Sequence, residues 1–389
     1  APFPLMIATV PCSKTNPAMD AAAPKAQTAR GQTGHPAPPP PPPAIPTFGL
    51  TLLLILAHPN ASASPIKGYP EAVTQIEVTS SADQSPQPAL FWSPADPAAP
   101  VPLLVALHTW SDGYAQAAGQ AACARWCQQV GWAFVHPHFR GPNNSPDAMG
   151  SDLVVSDVLD AVQHASSLAP IDPARIYLIG VSGGGHAALL LAGRSPDTWA
   201  AVSAWCPISD IAAWHRQCQG TRFARYAADI EKALGAAPDS SPQAAADAAR
   251  RSPLTWLKHA RSLPIDIYHG IDDGRAGSVP FTHSLHAFNA LARPAGQLAP
   301  ALIDAFYDTR IAPADSGTPP ASPLLGRRHP LFQKTSGQAR VTIFQGGHEM
   351  VHQAALNWLA AQRQDQPANW SPQPIATLDT STGDAASGR

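Results

Sequence analysis

Arg175-Ile-Tyr-Leu-Ile-Gly-Val-Ser182-Gly-Gly-Gly-His-Ala-Ala-Leu-Leu-Leu-Ala192 runs from an apolar, β-branched segment through a glycine-flanked serine into a helix-forming segment. It predicts a strand, a sharp turn and a helix. Gly180-Val-Ser182-Gly-Gly184 fits the pattern G-x-S-x-G, in which the serine backbone is strained and its neighbours must lack side chains. Such a turn lifts the hydroxyl above the carboxyl edge of a parallel sheet and aims the first helical N–H groups at an oxygen that becomes negative. The pentapeptide alone also occurs in ordinary turns. The strand of Ile176, Leu178, Ile179 and Val181 before it and the unbroken run Ala187 to Ala192 after it set it apart.

The flanking sequence places this turn in an α/β domain with a mostly parallel central sheet flanked by helices. Val101-Pro-Leu-Leu-Val-Ala-Leu-His108 and Trp132-Ala-Phe-Val-His136 are continuous apolar runs, as expected of strands buried on both faces, and residues 115–130 between them are Ala/Gln-rich and helical. Residues 75–81 and 88–93 predict two short antiparallel edge strands. Residues 151–162 predict a helix with Ser151 as its cap and Asp152 in its first turn, and Asp157 and Asp160 read as solvated or structural. Residues 199–205, 264–269 and 340–345 supply further strands. The stretch 208–261 is too long for a connection and predicts a helical cap over the site; residues 294–335 form a second, proline-rich insertion. The catalytic domain is thus expected over residues 64–364, with a disordered tail at 365–389.

Proline is frequent, 44 residues in 389, and concentrated in flanking and connecting segments, so the ordered core is shorter than the chain. A net charge of -2 offers no electrostatic footprint for nucleic acid or an anionic membrane and points to a small or neutral substrate. Residues 1–63 read as a leader: Ala37 to Ala44 is almost entirely proline, Phe48 to Ala57 is an apolar run too short to span a bilayer, and Ala61-Ser-Ala63 is a small-x-small pattern. This is the anatomy of a signal peptide cleaved after Ala63, giving a secreted or periplasmic protein with no membrane span once the leader is removed. The competing reading of the apolar run is a short buried strand or helix, because basic residues do not precede it. Of five cysteines, Cys12 falls in the leader. Cys123 and Cys127 lie one helical turn apart, a poor geometry for a bridge, and Cys206 and Cys218 flank a loop; buried free thiols account for them equally well.

A serine hydroxyl needs a base within hydrogen-bond reach and a carboxylate to orient that base. Tyr268-His-Gly-Ile-Asp-Asp273-Gly places aspartates just after a strand, and Asp273 is the expected acid with Asp272 the fallback; helix capping near Val279 is the structural alternative. Val341-Thr-Ile-Phe-Gln-Gly-Gly-His348 places a histidine at the end of the last strand. Strand end, glycine turn and the order serine, acid, histidine select it from 15 histidines. Gly183 and Trp110 are the expected oxyanion donors through their N–H groups, with Gly180 and Gly184 framing the elbow; the alternative for His108 and Trp110 is packing at the sheet rim. His348-Glu-Met-Val-His352 is also a literal H-E-x-x-H, but no glutamate follows Glu349, Ala355 and Trp358 occupy the extended-motif positions, and two glycines precede His348. No metal or cofactor is expected.

Together these stretches resemble the α/β-hydrolase catalytic domain of the prolyl oligopeptidase (S9) type and its relatives among acetyl and feruloyl esterases. The resemblance covers about residues 75–362 and rests on Phe139-Arg-Gly141, Asp172-Pro-Ala-Arg-Ile176, Gly180 to Gly184, His269-Gly-Ile-Asp-Asp273 with Val279-Pro280, and Gly346-Gly-His348. It implies an α/β-hydrolase fold, Ser182, Asp273 and His348 as triad, and Trp110 and Gly183 as oxyanion donors. Two departures stand out: His108-Thr109 replaces His-Gly, and acid and histidine lie 348 − 273 = 75 residues apart.

The expectation is a serine hydrolase forming an acyl-enzyme, acting on small acyl or carbohydrate esters in preference to short prolyl peptides. Residues 64–75 are too few to build the propeller that guards peptidases of this type, and Trp214, Phe223, Tyr226, Trp256, Phe306 and Tyr307 in the two insertions suit a planar acyl or sugar group or, alternatively, pack the cap. A non-catalytic binding protein and a zinc metallopeptidase are the rival classes.

Overall fold

The computed structural model describes residues 66–378. The leader, its cleavage site and Cys12 lie outside them. Nine strands form one sheet in the order β1-β2-β4-β3-β5-β6-β7-β9-β8. In chain order these are β1 Thr74–Thr79, β2 Pro86–Trp92, β3 Val101–Ala106, β4 Ala133–Pro137, β5 Ile171–Val181, β6 Ala201–Trp205, β7 Ile265–Gly270, β8 Pro330–Ser336 and β9 Ala339–Phe344. β1–β2, β2–β4 and β8–β9 pair antiparallel, and every other pair is parallel. This is the α/β-hydrolase fold.

The central runs are apolar throughout because both of their faces are covered. In β5, Ile176 and Leu178 point into one core while Tyr177 and Ile179 point into the other. Ten helices surround the sheet: α1 Ala118–Val130, α2 Asp152–Leu168, α3 Gly183–Arg194, α4 Ile211–Cys218, α5 Ala224–Leu234, α6 Pro242–Arg250, α7 Pro253–Trp256, α8 Thr282–Leu291, α9 Pro300–Thr309 and α10 His352–Ala360. Side chains of α2, α3, α8 and α9 share the first core, and those of α1 and α10 the second. Ser151 caps α2, its Oγ accepting from the Val154 N–H. No helix among the described residues is long and apolar enough to cross a membrane.

The 208–261 stretch folds into α4–α7. A third apolar cluster fastens it to the body, with Ile211, Trp214 and Ile230 meeting Trp110, Met149 and Val279.

Two expectations are corrected. Residues 294–335 are not all loop: α9 buries Ile303 and Phe306, and β8 adds an edge strand that the proline-rich composition hides. β8 forms because Ser336 pairs with Ala339 across a two-residue turn at Gly337, whose φ of 61° suits a tight hairpin, and because Phe332 is buried in the first core with Leu331 packed against it. The tail does not leave the body at Asp365. Trp370 stacks on Trp358 at 5.6 Å, and Asn357 Oδ1 accepts from the N–H of Ile375 at 2.7 Å. Cys123, Cys127, Cys206 and Cys218 are buried free thiols.

Asp157 turns out to be structural. Arg140 Nε and Nη2 grip its two oxygens at 2.5 and 3.0 Å, and Arg140 Nη1 reaches Asp83 at 2.7 Å, joining the β1–β2 turn, the β4 loop and α2. The Asp157 side chain is 0% exposed, so removing its partner strands a buried charge. Arg140→Leu is expected to lower unfolding free energy by about 3–5 kcal/mol, read by urea denaturation.

Candidate active site

β5 ends at Val181 and Ser182 takes φ 60°, ψ −122°, a conformation that non-glycine residues avoid, directly before the first turn of α3. Two close approaches hold the turn. A Cβ on Gly180 would lie 2.2 Å from the carbonyl oxygen of Gly184, and a Cβ on Gly183 would lie 2.5 Å from both N and Cα of Trp110. The backbone of Trp110 therefore abuts that of Gly183. Among the described residues neither N–H donates to a protein acceptor, so both are available to an oxyanion. Ser182 itself is 8% exposed, and its N–H donates to the Trp205 carbonyl at 2.9 Å.

The Trp110 ring is buried and packs edge-on to Trp214 at 4.7 Å, so its side chain anchors the cap while its N–H faces the elbow. His108 does pack the rim. It stacks on Phe139 at 3.8 Å, its ring nitrogens face the carbonyls of Thr109 and His138, and burial pushes its pKa down to about 4. Thr109, where a glycine would be usual, is tied down by Gln116, which accepts from its N–H at 2.8 Å and donates to its hydroxyl at 2.9 Å.

Asp273 lies three residues beyond β7 and is fully buried. Its Oδ1 accepts from the N–H groups of Gly274 at 2.9 Å and Val279 at 3.1 Å; its Oδ2 receives His348 Nδ1 at 2.6 Å. Burial alone would raise its pKa, but the His348 charge and the hydrogen bonds of His269 and His348 hold the carboxyl well below the usual range. The capping alternative does not hold for Asp273, because α8 begins at Thr282 with Phe281 as its N-cap and no side-chain cap bond; the Val279 N–H that Asp273 receives lies in the loop before it. Asp272 is exposed and bonds to no histidine.

His348 follows β9 by four residues, and its side chain is 26% exposed. α10 begins only at His352, so His348 and His352 do not share a helix face, and Glu349 is engaged by Arg328. That arrangement gives the H-E-x-x-H reading no support. Beneath His348 lies Cys206, at the end of β6 with φ 43°, its Sγ 3.8 Å from the Gly347 carbonyl and 3.6 Å from that of Glu349. Burial, then the Asp273 charge, push its thiol pKa well up and keep it protonated.

The structure therefore joins Asp273 to His348 directly and brings Gly183 against Trp110. Among the described residues no hydrogen bond joins Ser182 Oγ to His348, a contact that commonly tightens only when substrate binds. Sequence reasoning assigned no role to His269 or Cys206. The signal was present for His269, at a strand end four residues before the acid; none existed for Cys206, whose place depends on the β9 loop.

The prolyl oligopeptidase family profile matches residues 122–305, which take in Ser182 and Asp273 and stop short of His348. Over that stretch, a little under half of its length, the chain is similar to the prolyl oligopeptidase family. Similar solved structures include an acylaminoacyl peptidase of Pyrococcus horikoshii (17% identity, TM-score 0.46, covering 56% of this chain and 34% of that one). A puromycin-hydrolyzing peptidase of Mycobacterium tuberculosis matches at 18% identity and TM-score 0.45, over 57% of this chain and 33% of that one. A thermostable esterase matches at 16% identity and TM-score 0.45, over 76% and 64%. The chain thus spans about a third of the length of the two peptidases. No curated protein matches.

Because a methyl group on Gly183 must displace the Trp110 backbone, Gly183→Ala is expected to destabilise the hydrolase by about 1–3 kcal/mol. The substitution keeps the backbone N–H of residue 183 but pushes the Trp110 N–H away from it, and kcat/KM should fall by about 10²–10³, the usual effect of disabling an oxyanion donor. Thermal melts and steady-state kinetics on one activated ester check both.

Proposed function

We propose that this protein is a serine hydrolase, a carboxylesterase for small acyl or carbohydrate esters, working by double displacement. The observation that carries the chemistry is the 2.6 Å contact between His348 Nδ1 and the buried Asp273 carboxylate, set beside a strained serine elbow. Asp273 fixes the tautomer that leaves His348 Nε2 as the base. Ser182 Oγ attacks the acyl carbon and passes its proton to Nε2, and the N–H groups of Gly183 and Trp110 receive the oxyanion. His348 then protonates the departing alcohol, and water releases the acyl group by the reverse sequence.

The ester preference draws on the site's surroundings. Trp214 and Phe306 are buried and serve packing, the alternative open for them. Tyr226 and Tyr307 keep part of their surface. Tyr226 stands edge-on to Trp110, and the Tyr307 hydroxyl lies against Gly274, next to Asp273. Two flat, partly exposed rings from the cap and from the second insertion suit a planar acyl or sugar group. Alkoxides also leave more readily than amines, so esters ask less of the general acid. The family match favours a second reading, a prolyl-specific peptidase.

A fluorophosphonate is expected to label wild type and to spare Ser182→Ala, whose turnover should fall by about 10⁴–10⁶. On a panel of acetylated and feruloylated sugars, short esters and prolyl-peptide anilides, kcat/KM should be highest on an ester; an anilide ahead of every ester would establish the peptidase reading. The leader carries a further proposal, export to the periplasm or medium, and N-terminal sequencing of the mature protein should begin at Ser64.

A further inference from the structure

The carboxylate of Asp273 is held by two histidines. His348 Nδ1 reaches Oδ2 at 2.6 Å, and His269 Nε2 reaches the same oxygen at 3.0 Å. His269 is fully buried near the end of β7, and its ring is engaged at both edges: Nε2 also faces the Val279 carbonyl at 3.0 Å, and Nδ1 lies 2.8 Å from Ser284 Oγ. A carboxylate and a carbonyl can only accept, so Nε2 carries the proton and Nδ1 takes the hydrogen of the Ser284 hydroxyl. Ser284, His269 and His348 form a chain of hydrogen bonds that converges on the Asp273 carboxylate, linking α8 to the site.

We infer that His269 is a positioning residue for the hydrolytic reaction, whose Nε2–H pins the Asp273 carboxylate and moderates its pull on the His348 proton. The inference rests on the assignment of Asp273 and His348 proposed above. A carboxylate oxygen shared between two donors is a weaker acceptor for each. With His269 in place, His348 gives up its Nε2 proton more readily; without it, Oδ2 serves His348 alone and that proton is held to higher pH. The carboxylate also loses one of its four hydrogen bonds and with it a fixed orientation.

The groups facing His269 are few. They are Asp273 from the loop after β7, His348 from the loop after β9, and Ser284 and His283 from α8. Cys206 faces it from the end of β6, its Sγ within 4.8 Å of ligating atoms of His269 and Asp273. Burial pushes His283 down to about 3 and Cys206 well up, so neither changes charge in the range where a histidine base acts.

The rate of fluorophosphonate labelling, followed from pH 4 to 9, reads this network without reference to substrate class. His269→Leu, which removes the donor, is expected to slow labelling about 10–100-fold, the worth of one hydrogen bond to a charged group. Its acid limb should move upward by about 0.5–1 pH. His269→Gln, which returns an N–H to the place of Nε2, should recover the rate to within about threefold and restore the wild-type limb. A residue that merely packs would show equal losses for Leu and Gln and an unmoved limb, and that result overturns the inference. If His269→Leu does not fold, His269→Phe decides, because it keeps a flat ring in the same place without the donor: a slower rate with the limb moved upward supports the inference, and a wild-type profile overturns it. Label found on wild type at a serine other than Ser182 would defeat the underlying assignment instead, which keeps the two failures distinct.

Discussion

Ser182 occupies a backbone conformation that costs an L-residue about 1–3 kcal/mol, and the surrounding contacts hold it there. Its N–H is taken by Trp205, its carbonyl by the N–H of His186, and the absence of a side chain at Gly180 lets the Gly184 carbonyl come close. The strain turns the hydroxyl away from the strand and opens α3 against the loop that carries Trp110. The Ser182 hydroxyl and the N–H groups of Gly183 and Trp110 are therefore placed by one constraint, a turn too tight for side chains at positions 180 and 183.

Asp273 and His348 answer to a different constraint. β7 and β9 are parallel neighbours, with Gly270 opposite Phe344, so both chains leave the sheet at one edge and at the same height. Asp273 follows Gly270 by three residues and His348 follows Phe344 by four. The long excursion between them does not disturb this, because loop closure grows only slowly more costly with length and the pairing of the two strands sets the separation. Much of that excursion is itself folded, as α8, α9 and β8.

Trp110 links the two halves of the molecule that meet at the site. Its backbone faces the elbow, and its ring is one of the points, with Met149 and Val279, at which the α4–α7 cap is packed onto the body. Movement of the cap would reach the oxyanion donors through this one residue. The aromatic side chains of the cap divide accordingly, with Trp214 buried against Trp110 and Tyr226 left at the margin.

The strands around Ser182, the elbow, the strand-end places of the Asp272–Asp273 pair and of His348, and the capped helix at Ser151 were legible because each depends on neighbours within a few residues: apolar periodicity, glycine beside serine, a turn after a strand. β8 was hidden because its pairing with β9 relies on one buried phenylalanine and a tight turn amid polar residues and prolines, and the order after Asp365 was hidden because Trp370 and Ile375 find their partners on α10. The selection of Asp273 over its equal neighbour Asp272 was a guess until the loop turned one carboxylate inward and the other out. His269 and Cys206 stand in positions whose meaning is purely spatial, since what surrounds the Asp273 carboxylate comes from β6, β7, α8 and the loop after β9. The sequence by itself determined where the strained turn falls and which side chains emerge from the sheet's carboxyl edge, both local matters of backbone sterics and burial. Which of those side chains share a proton was decided only by tertiary structure, because hydrogen bonds at 2.6 and 3.0 Å depend on the register of strands far apart in the chain.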